Sequence, residues 1–190
     1  MNPTTPPQIT ASQFPQVYAD LGIDPGKLGC MMLNTEPIVV SNLILYDDLY
    51  YSDPEKHPYM QGIVSEEVPH VTLLYGLLRS GPELKKHIDA VLDGWTPQDV
   101  SIEAIDVFPS NDPDESYVTL IAKLEMTPNL IEANARLKLL PHLDTFPMGF
   151  QGHITLAYLN DSSDYQGYIQ KLNQAFQGKT VKALGLNYGD

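Results

Sequence analysis

Two short segments of the chain repeat each other and carry side chains suited to acid–base chemistry. HVTLLY begins at His70 and HITLAY begins at His153, so His, Thr, Leu and Tyr recur at a constant offset. The chain contains only five histidines, which makes such a match between two of them hard to obtain by chance. The repeat predicts a protein of two related lobes, each of which contributes one histidine and one threonine to a shared site.

The expected strand geometry lets the histidine and threonine of each motif act on the same phosphate. Successive side chains of a strand point to opposite faces, so the histidine and the threonine of each motif share one face, about 7 Å apart. Two such strands related by a twofold would place one imidazole as base and one as acid on opposite sides of a phosphate, with the threonine hydroxyls donating to its non-bridging oxygens. The predicted catalytic residues are His70, Thr72, His153 and Thr155. The predicted core residues beside them are Val71, Leu73, Tyr75, Ile154, Leu156 and Tyr158.

The spacing of apolar residues predicts the strands and helices that hold these histidines and threonines in position. Strands are predicted at residues 29–33, 38–46, 68–77, 100–108, 117–124, 152–159 and 181–186. Helices are predicted near residues 82–95, 128–140 and 165–176, the first two with a proline at their start and the third ending before Gly178. Strands and helices therefore interleave, which indicates an α/β or α+β architecture with a substantial antiparallel component.

A long segment at residues 47–61, DDLYYSDPEKHPYMQ, has no regular period and is predicted to be a loop. Loops of this length inside compact domains are uncommon and often functional. Its tyrosines, among them Tyr59, could stack on nucleobases together with the adjacent Tyr46, or could equally pack on their own domain. We single out Tyr50 and Tyr51 as candidate substrate-binding residues.

Charge restricts the partners of this protein. The 190-residue chain carries 24 acidic and 11 basic side chains, for a formal net charge of −13. Such a surface repels long phosphate backbones, which disfavours a binder of duplex DNA or messenger RNA but permits a small nucleotide held by a few directed donors. The length and the 43% hydrophobic content suit one compact two-lobed unit. We expect a flexible lead-in at residues 1–16 and a single bilobal domain at residues 17–190.

The remaining features predict a soluble protein without a cofactor. The single cysteine, Cys30, excludes an internal disulfide and a cysteine-rich zinc site. His57, His87 and His142 lack a repeated partner and are expected to be ordinary surface or core residues. Zinc usually needs three or four close ligands, and the H-x-T pattern puts hydroxyls where ligands would lie, so no metal is expected. No apolar run reaches ~20 residues and no signal sequence begins the chain, so we expect a cytoplasmic protein without membrane partners.

The paired H-x-T motifs closely resemble those of the 2H phosphoesterase superfamily, which includes the LigT-like 2′-5′ RNA ligases and cyclic phosphodiesterases. The resemblance extends from about residue 28 to the C-terminus. Within the superfamily, the compact acidic chain with PHVTLLYGL after a tyrosine-rich loop looks most like the phage anti-CBASS nucleases, which degrade cyclic di- and trinucleotide immune messengers without a metal. The resemblance implies a two-lobed α+β fold with pseudo-twofold symmetry, in which antiparallel sheets flanked by helices surround a central cleft.

The resemblance also implies roles for the motif residues. His70 and His153 would be the acid–base pair, and Thr72 and Thr155 would hold the phosphate. The ribose 2′-hydroxyl would attack, the 5′-oxygen would leave, and a 2′,3′-cyclic phosphate would form as intermediate. The substrate would be a small cyclic oligonucleotide, and the compartment would be the host cell cytoplasm if the protein is phage-encoded.

One departure from the superfamily bears on the substrate. Members of the RNA ligase type often carry a basic residue soon after the second motif, whereas here the chain continues LAYLND. This favours a small cyclic substrate over RNA. Two alternatives stay open: an RNA 2′,3′-cyclic phosphodiesterase or 2′-5′ ligase-like enzyme, and a protein that sequesters a nucleotide without cleaving it. The intact pair of motifs argues against sequestration, since binding alone does not need both imidazoles.

Overall fold

The computed structural model describes residues 22, 28–51, 68–110, 116–144 and 149–189. The predicted lead-in at residues 1–16 and most of the predicted loop at residues 47–61, including His57 and Tyr59, lie outside these described residues. No helix in the described part of the chain is long and apolar enough to cross a membrane.

The described residues form seven strands and three α-helices. In chain order the strands are β1 (Gly29–Thr35), β2 (His70–Leu77), β3 (Val100–Pro109), β4 (Tyr117–Leu124), β5 (His153–Asn160), β6 (Thr180–Val181) and β7 (Ala183–Gly189). The helices are α1 (Gly81–Val91), α2 (Pro128–Leu137) and α3 (Tyr165–Phe176), and a short 3-10 helix (Tyr46–Asp48) follows β1.

The strands form two antiparallel sheets, and each motif strand lies at the edge of one of them. The first sheet has the order β2–β1–β7, and the second has the order β5–β4–β3–β6. Helices α1 and α2 pack against the first sheet, while α3 packs against β3 of the second. Two antiparallel sheets, each with its own helices, confirm the predicted two-lobed α+β fold. We call the lobe of the first sheet lobe 1 and that of the second sheet lobe 2.

The lobes meet where the two motifs begin. Strand β2 of lobe 1 contacts strand β5 of lobe 2. A Cβ added to Gly152, which precedes His153, would lie 3.6 Å from a methyl carbon of Val71, which follows His70. Tertiary packing therefore brings together two segments that are far apart in the sequence.

Each helix begins where a side chain satisfies its first backbone N–H groups. Ser80 accepts a hydrogen bond from the Glu83 N–H at the start of α1, and Thr127 accepts one from the Leu130 N–H at the start of α2. Asp164 caps α3 in the same way. These caps are local sequence signals, which explains why the predicted helix starts agree with the structure.

The core fills the space between each sheet and its helices. Its buried members include Leu33 and Val71 in the first sheet, Leu120 in the second, and Ile88 and Leu137 on the helices. Since a strand sends alternate side chains to opposite faces, each sheet has a second face turned away from its helices. We call these second faces the cleft faces.

Two strand predictions are wrong. Residues 38–46 turn rather than extend, although Ile38, Val40 and Ile44 are buried. Their apolar pattern suits a strand, but both edges of the preceding β1 are already paired with β2 and β7, which leaves no adjacent edge to join. The strand predicted at residues 181–186 is instead two strands, β6 in the second sheet and β7 in the first, because the chain crosses between the lobes at Lys182.

Candidate active site

The motif histidines and threonines lie on the cleft faces, as strand alternation predicts. His70 and Thr72 are half-buried, and so are His153 and Thr155, while the residue between each pair is fully buried. The first five residues of β2 and of β5 share one burial pattern. Because β2 and β5 are in contact, the fold brings all four residues to one region of the molecule.

Both histidine rings make the same local contact. His70 Nδ1 lies 3.2 Å from the Val68 carbonyl oxygen, and His153 Nδ1 lies 3.1 Å from the Gln151 carbonyl oxygen. A carbonyl oxygen only accepts hydrogen bonds, so each Nδ1 carries a hydrogen and Nε2 is the nitrogen that exchanges a proton. The two imidazoles therefore have the same tautomer, and each can act as base or acid through Nε2.

An extra residue interrupts β2 and β5 at equivalent positions. The pairing of β2 with β1 skips Leu73, and the pairing of β5 with β4 skips Leu156. These two leucines occupy the same place in their motifs. A bulge adds one residue to a strand, so the side chains beyond it change face. The two repeats therefore share a backbone irregularity as well as their side chains.

The prediction that Tyr75 and Tyr158 belong to the core is wrong. Tyr75 is 39% exposed and Tyr158 is half-buried. Tyr75 pairs with Cys30 and Tyr158 pairs with Thr119, so both tyrosines share the cleft faces with the histidines. Strict alternation would send both rings to the core, and the bulge in each motif reverses that direction.

A buried amide holds the bulge of lobe 1. Asn134 on α2 donates a hydrogen bond from Nδ2 to the Leu73 carbonyl oxygen at 2.6 Å, and Asn134 is itself buried. A buried carbonyl left without a partner costs about 1–3 kcal/mol. Helix α2 therefore supports the backbone shape of the first motif directly.

Different side chains flank the two histidines on the neighbouring strands. Asn34 of β1 pairs with His70, and Lys123 of β4 pairs with His153. Directly opposite side chains share a face, so both flanking residues belong to the cleft faces. Lys123 forms an ion pair with Glu103 at 3.0 Å, while Asn34 Oδ1 is buried without a hydrogen-bond partner among the described residues. One histidine therefore has a cation as its neighbour and the other has a neutral amide.

Aromatic rings gather on the cleft face of lobe 2. The Phe108 ring on β3 lies 5.0 Å from the His153 ring, with 87° between their planes. Tyr117 contacts Tyr158 edge-on at 5.8 Å, and its ring lies 5.0 Å from that of Tyr50. Phe108 and Tyr158 share this face because both lie opposite the same residue of β4. We call Phe108, Tyr117, Tyr158 and Tyr50 the aromatic row.

Of the two tyrosines singled out in the sequence, Tyr50 joins the aromatic row and Tyr51 lies outside it. Tyr50 is half-buried, and its N–H donates to the Tyr158 carbonyl oxygen at 2.9 Å. Tyr51 is 46% exposed, and its ring lies 5.6 Å from that of Tyr46. A hydrogen bond with Tyr46 raises the pKa of Tyr51 to about 12, so its hydroxyl stays neutral at physiological pH.

The segment that carries Tyr50 is fixed to lobe 2. Tyr168 of α3 donates from its hydroxyl to Asp48 at 2.5 Å and accepts from the Leu45 N–H at 3.0 Å. Burial, and then the hydrogen bond to Asp48, raise the pKa of Tyr168. Asn160, at the end of β5, donates to two carbonyl oxygens of the same segment. The segment is thus tied to both a strand and a helix of lobe 2.

The structure describes two further histidines, which differ from the motif pair. His87 is exposed on α1. His142 Nδ1 lies 2.8 Å from the Leu140 carbonyl oxygen, as in the motifs, but Asp144 follows where the motifs have threonine. Within the described ranges no group of three or more His, Cys, Asp or Glu side chains is placed to hold a metal ion. Metal-free chemistry stays a prediction.

Sequence reasoning missed Asn34, Lys123 and Phe108. None of them belongs to the repeat, and none follows a period that would single it out. They reach the site through strand pairing alone. Asn34 lies on β1, which pairs with β2, and Lys123 lies on β4, which pairs with β5. Phe108 lies on β3, which pairs with β4. Lys123 and Phe108 lie in predicted strands, and Asn34 directly follows one, but a strand prediction fixes neither the neighbouring strand nor the register.

One comparison with known proteins shows the family of the chain. A model of the 2′-5′ RNA ligase superfamily matches residues 53–186 of the chain. Among solved structures, the chain is similar to Usb1 of Kluyveromyces marxianus, with 14% identity and a TM-score of 0.46 over 78% of this chain and 79% of that chain. No curated protein sequence matches the chain.

Proposed function

The chain belongs to the 2′-5′ RNA ligase superfamily and is a 2H phosphodiesterase, and from that premise we propose that it hydrolyses 3′-5′ bonds of small cyclic oligonucleotides without a metal. In this proposal His70 and His153 are the acid–base pair, and Thr72 and Thr155 bind the phosphate. The proposed setting is the cleavage of cyclic di- and trinucleotide immune messengers by a phage-encoded anti-CBASS enzyme.

The matching histidine contacts are the observation that supports these roles most strongly. Each ring has Nδ1 against the carbonyl oxygen of the residue two positions earlier. A general acid and a general base need proton-exchanging atoms in fixed positions, and a backbone contact at the opposite ring nitrogen supplies that orientation. Two equivalent rings suit a reaction in which base and acid exchange roles between steps.

In the proposed first step, Nε2 of one histidine removes the proton of the ribose 2′-hydroxyl. The 2′-oxygen forms a bond to phosphorus while the bond to the 5′-oxygen breaks, and Nε2 of the other, protonated histidine gives its proton to that 5′-oxygen. The threonine hydroxyls donate to the non-bridging oxygens, where negative charge builds up. The product is a 2′,3′-cyclic phosphate, and each histidine ends in the protonation state that its partner had at the start.

The proposed second step uses those exchanged protonation states. The histidine that gave up its proton now takes one from water, and the water oxygen bonds to phosphorus. The bond to the 2′-oxygen breaks, and the other histidine returns a proton to that oxygen. The enzyme regains its starting state and releases a 3′-phosphate end.

Charge supports a small substrate. The chain carries a formal net charge of −13, and Lys123 is the only Lys or Arg that the strand register places on the cleft faces of the described strands. Long RNA is held chiefly through many phosphate contacts to basic side chains. A cyclic di- or trinucleotide presents few phosphates, so one cation and directed hydroxyl donors suffice for it.

The test is a substrate panel with EDTA present: cyclic dinucleotides, cyclic trinucleotides, and RNA oligonucleotides that end in a 2′,3′-cyclic phosphate. We expect turnover of the cyclic oligonucleotides, unchanged by EDTA, with linear products that end in a 3′-phosphate. Loss of turnover in EDTA would refute the metal-free mechanism. Turnover of RNA ends alone would identify an RNA-end phosphodiesterase, and tight binding without product would identify a sequestering protein.

A further inference from the structure

We propose that Phe108 stacks on the nucleobase next to the scissile phosphate, on the side of the site formed by lobe 2. The inference rests on the proposed function, since it assigns a specificity-determining residue to that site. It concerns a residue outside both H-x-T motifs and outside the tyrosine-rich segment. The ligand class is a purine or pyrimidine ring attached to the ribose phosphate that reacts.

The position of Phe108 is the first argument. Its ring contacts the His153 ring at 5.0 Å, yet 40% of the residue remains exposed. Leaving a large apolar ring partly in water costs free energy, roughly in proportion to the exposed area. A ring that touches a motif histidine and still has an open surface is well placed to receive a flat apolar partner.

The backbone around Phe108 is the second argument. Phe108 lies on β3 opposite Thr119 of β4, and Thr119 lies opposite Tyr158 of β5. Three paired strands therefore hold the ring, and Tyr158 packs against Tyr117 in the same aromatic row. A site built on paired strands keeps a ring at a fixed distance from the phosphate, which favours stacking because less freedom is lost on binding.

The contrast with lobe 1 is the third argument. On the cleft face of β1 and β7, the register places Cys30, Met32, Asn34, Asn187 and two glycines. A Cβ at Gly189 would lie 2.5 Å from Cys30 Sγ and 2.6 Å from a methyl carbon of Met32, so that surface is closely packed with small and flexible groups. Among the described residues of the cleft face of lobe 1, Tyr75 of β2 provides the only aromatic ring. A base bound beside His153 meets the Phe108 ring, whereas the described residues of β1 and β7 place no aromatic ring on their cleft face.

Stacking chemistry fits this substrate class. Base–aromatic stacking contributes about 1–3 kcal/mol per base and tolerates different bases, because every base has a π-face. An uncharged ring adds no repulsion to the phosphates in a chain of net charge −13. Stacking therefore supplies affinity where few basic side chains are present.

The experiment compares two substrates in three variants. The substrates are adenosine 2′,3′-cyclic phosphate and ribose 2′,3′-cyclic phosphate, which has the same reacting group without a base. The variants are Phe108→Leu, which removes the flat ring, Phe108→Tyr, which keeps it, and Phe176→Leu, which makes the same change on the helix side of lobe 2. We expect Phe108→Leu to lower kcat/KM about tenfold for the adenosine substrate, mainly through KM. The base-free substrate should be unaffected, and the other two variants should stay within about twofold of the parent protein.

Two results would overturn the inference. An equal loss on both substrates in Phe108→Leu, through kcat, would mean that the ring only orients His153. No loss on either substrate would mean that the ring does not meet the base. If the parent protein hydrolyses neither substrate, the proposed function is still decided by the cyclic oligonucleotide panel, and the stacking position is judged by equilibrium binding of adenosine 3′-phosphate and ribose 3-phosphate. A roughly tenfold weaker adenosine 3′-phosphate affinity in Phe108→Leu, with ribose 3-phosphate unchanged, supports the position, and equal affinities refute it.

Discussion

Lobes 1 and 2 present the same motif in different surroundings. In each, a half-buried histidine has Nδ1 against a backbone carbonyl, a half-buried threonine follows two residues later, and a bulge comes directly after the threonine. The neighbouring strands differ. In lobe 1, Asn34 lies beside the motif histidine. In lobe 2, Lys123 and the Phe108 ring lie beside the motif histidine.

The comparison shows that the likeness of the two lobes covers the motif strands, with their bulges, and does not extend to the residues of the neighbouring strands. An acid and a base that exchange roles between two steps need equivalent rings, and the repeat supplies them. A nucleotide is not symmetric about its phosphate, because one side carries the hydroxyl that attacks and the other carries the leaving oxygen. The two histidines have different neighbours, and this difference is in keeping with the asymmetry of the proposed substrate.

The largest expected effect tests the equivalence of the two motifs. His70→Ala and His153→Ala should each lower turnover about 10²–10⁴-fold, since each removes a general acid or base. His142→Ala is the matched control, because His142 makes the same Nδ1-to-carbonyl contact outside the motifs and should keep full turnover. Steady-state rates on the preferred cyclic oligonucleotide give the answer. A normal rate in the His70, His153 double variant would remove the site assignment.

The next effect tests whether the two threonines share the phosphate. Thr72→Val and Thr155→Val keep the shape of the side chain and remove only the hydroxyl. Each should lower kcat about 10²–10³-fold, as loss of one donor to a developing oxyanion does. A loss confined to one variant would show that the two lobes bind the phosphate unequally, and no loss in either would contradict the role. Circular dichroism of both variants checks that the fold is retained.

A third effect concerns the support behind the motif of lobe 1. Asn134→Ala removes the donor to the Leu73 carbonyl and should lower the free energy of unfolding by about 1–3 kcal/mol. Asn173→Ala is the counterpart in lobe 2, since Asn173 of α3 exchanges hydrogen bonds with the backbone of Ile105, and it should cost less because Asn173 is only half-buried. Urea denaturation followed by circular dichroism measures both. Equal losses would contradict the ranking.

The smallest effect concerns the cation beside His153. Lys123→Gln should raise KM about fivefold, because a half-exposed charge near an anionic substrate contributes about 1 kcal/mol. Lys123→Arg should restore binding, and added salt should reduce the difference between the variants. Asn34→Ala in lobe 1 carries no charge change and should show no such salt dependence. A salt-independent effect of Lys123→Gln would mean that the lysine acts only through its ion pair with Glu103.

Much of this molecule was predictable because its signals are local. Pro82 and Pro128 mark the starts of their own helices, and the repeated histidines and threonines mark their own strand faces. The wrong predictions share one cause, because each depends on how strands pair, which a single strand does not reveal. The apolar residues at 38–46 suit a strand, but a strand needs a free edge, and the edges of β1 were already occupied.

The motif tyrosines show the same limit at the level of one residue. Tyr75 and Tyr158 sit at odd positions from their histidines, so period-two counting assigns them to the core. The bulges at Leu73 and Leu156 reverse that assignment. A bulge is a property of two paired strands, and one strand read alone does not reveal it.

The amino-acid sequence by itself determined the chemistry that repeats: which histidines and threonines form the set, and which faces of their strands they occupy. It did so because side-chain type and strand alternation are properties of the chain near each residue. Only the tertiary structure decided what stands beside each histidine, because Asn34, Lys123 and Phe108 reach the motifs through the pairing of distant strands in one register. Hydrogen bonding between strands is a long-range event, so the contrast between the two lobes exists only in the folded chain.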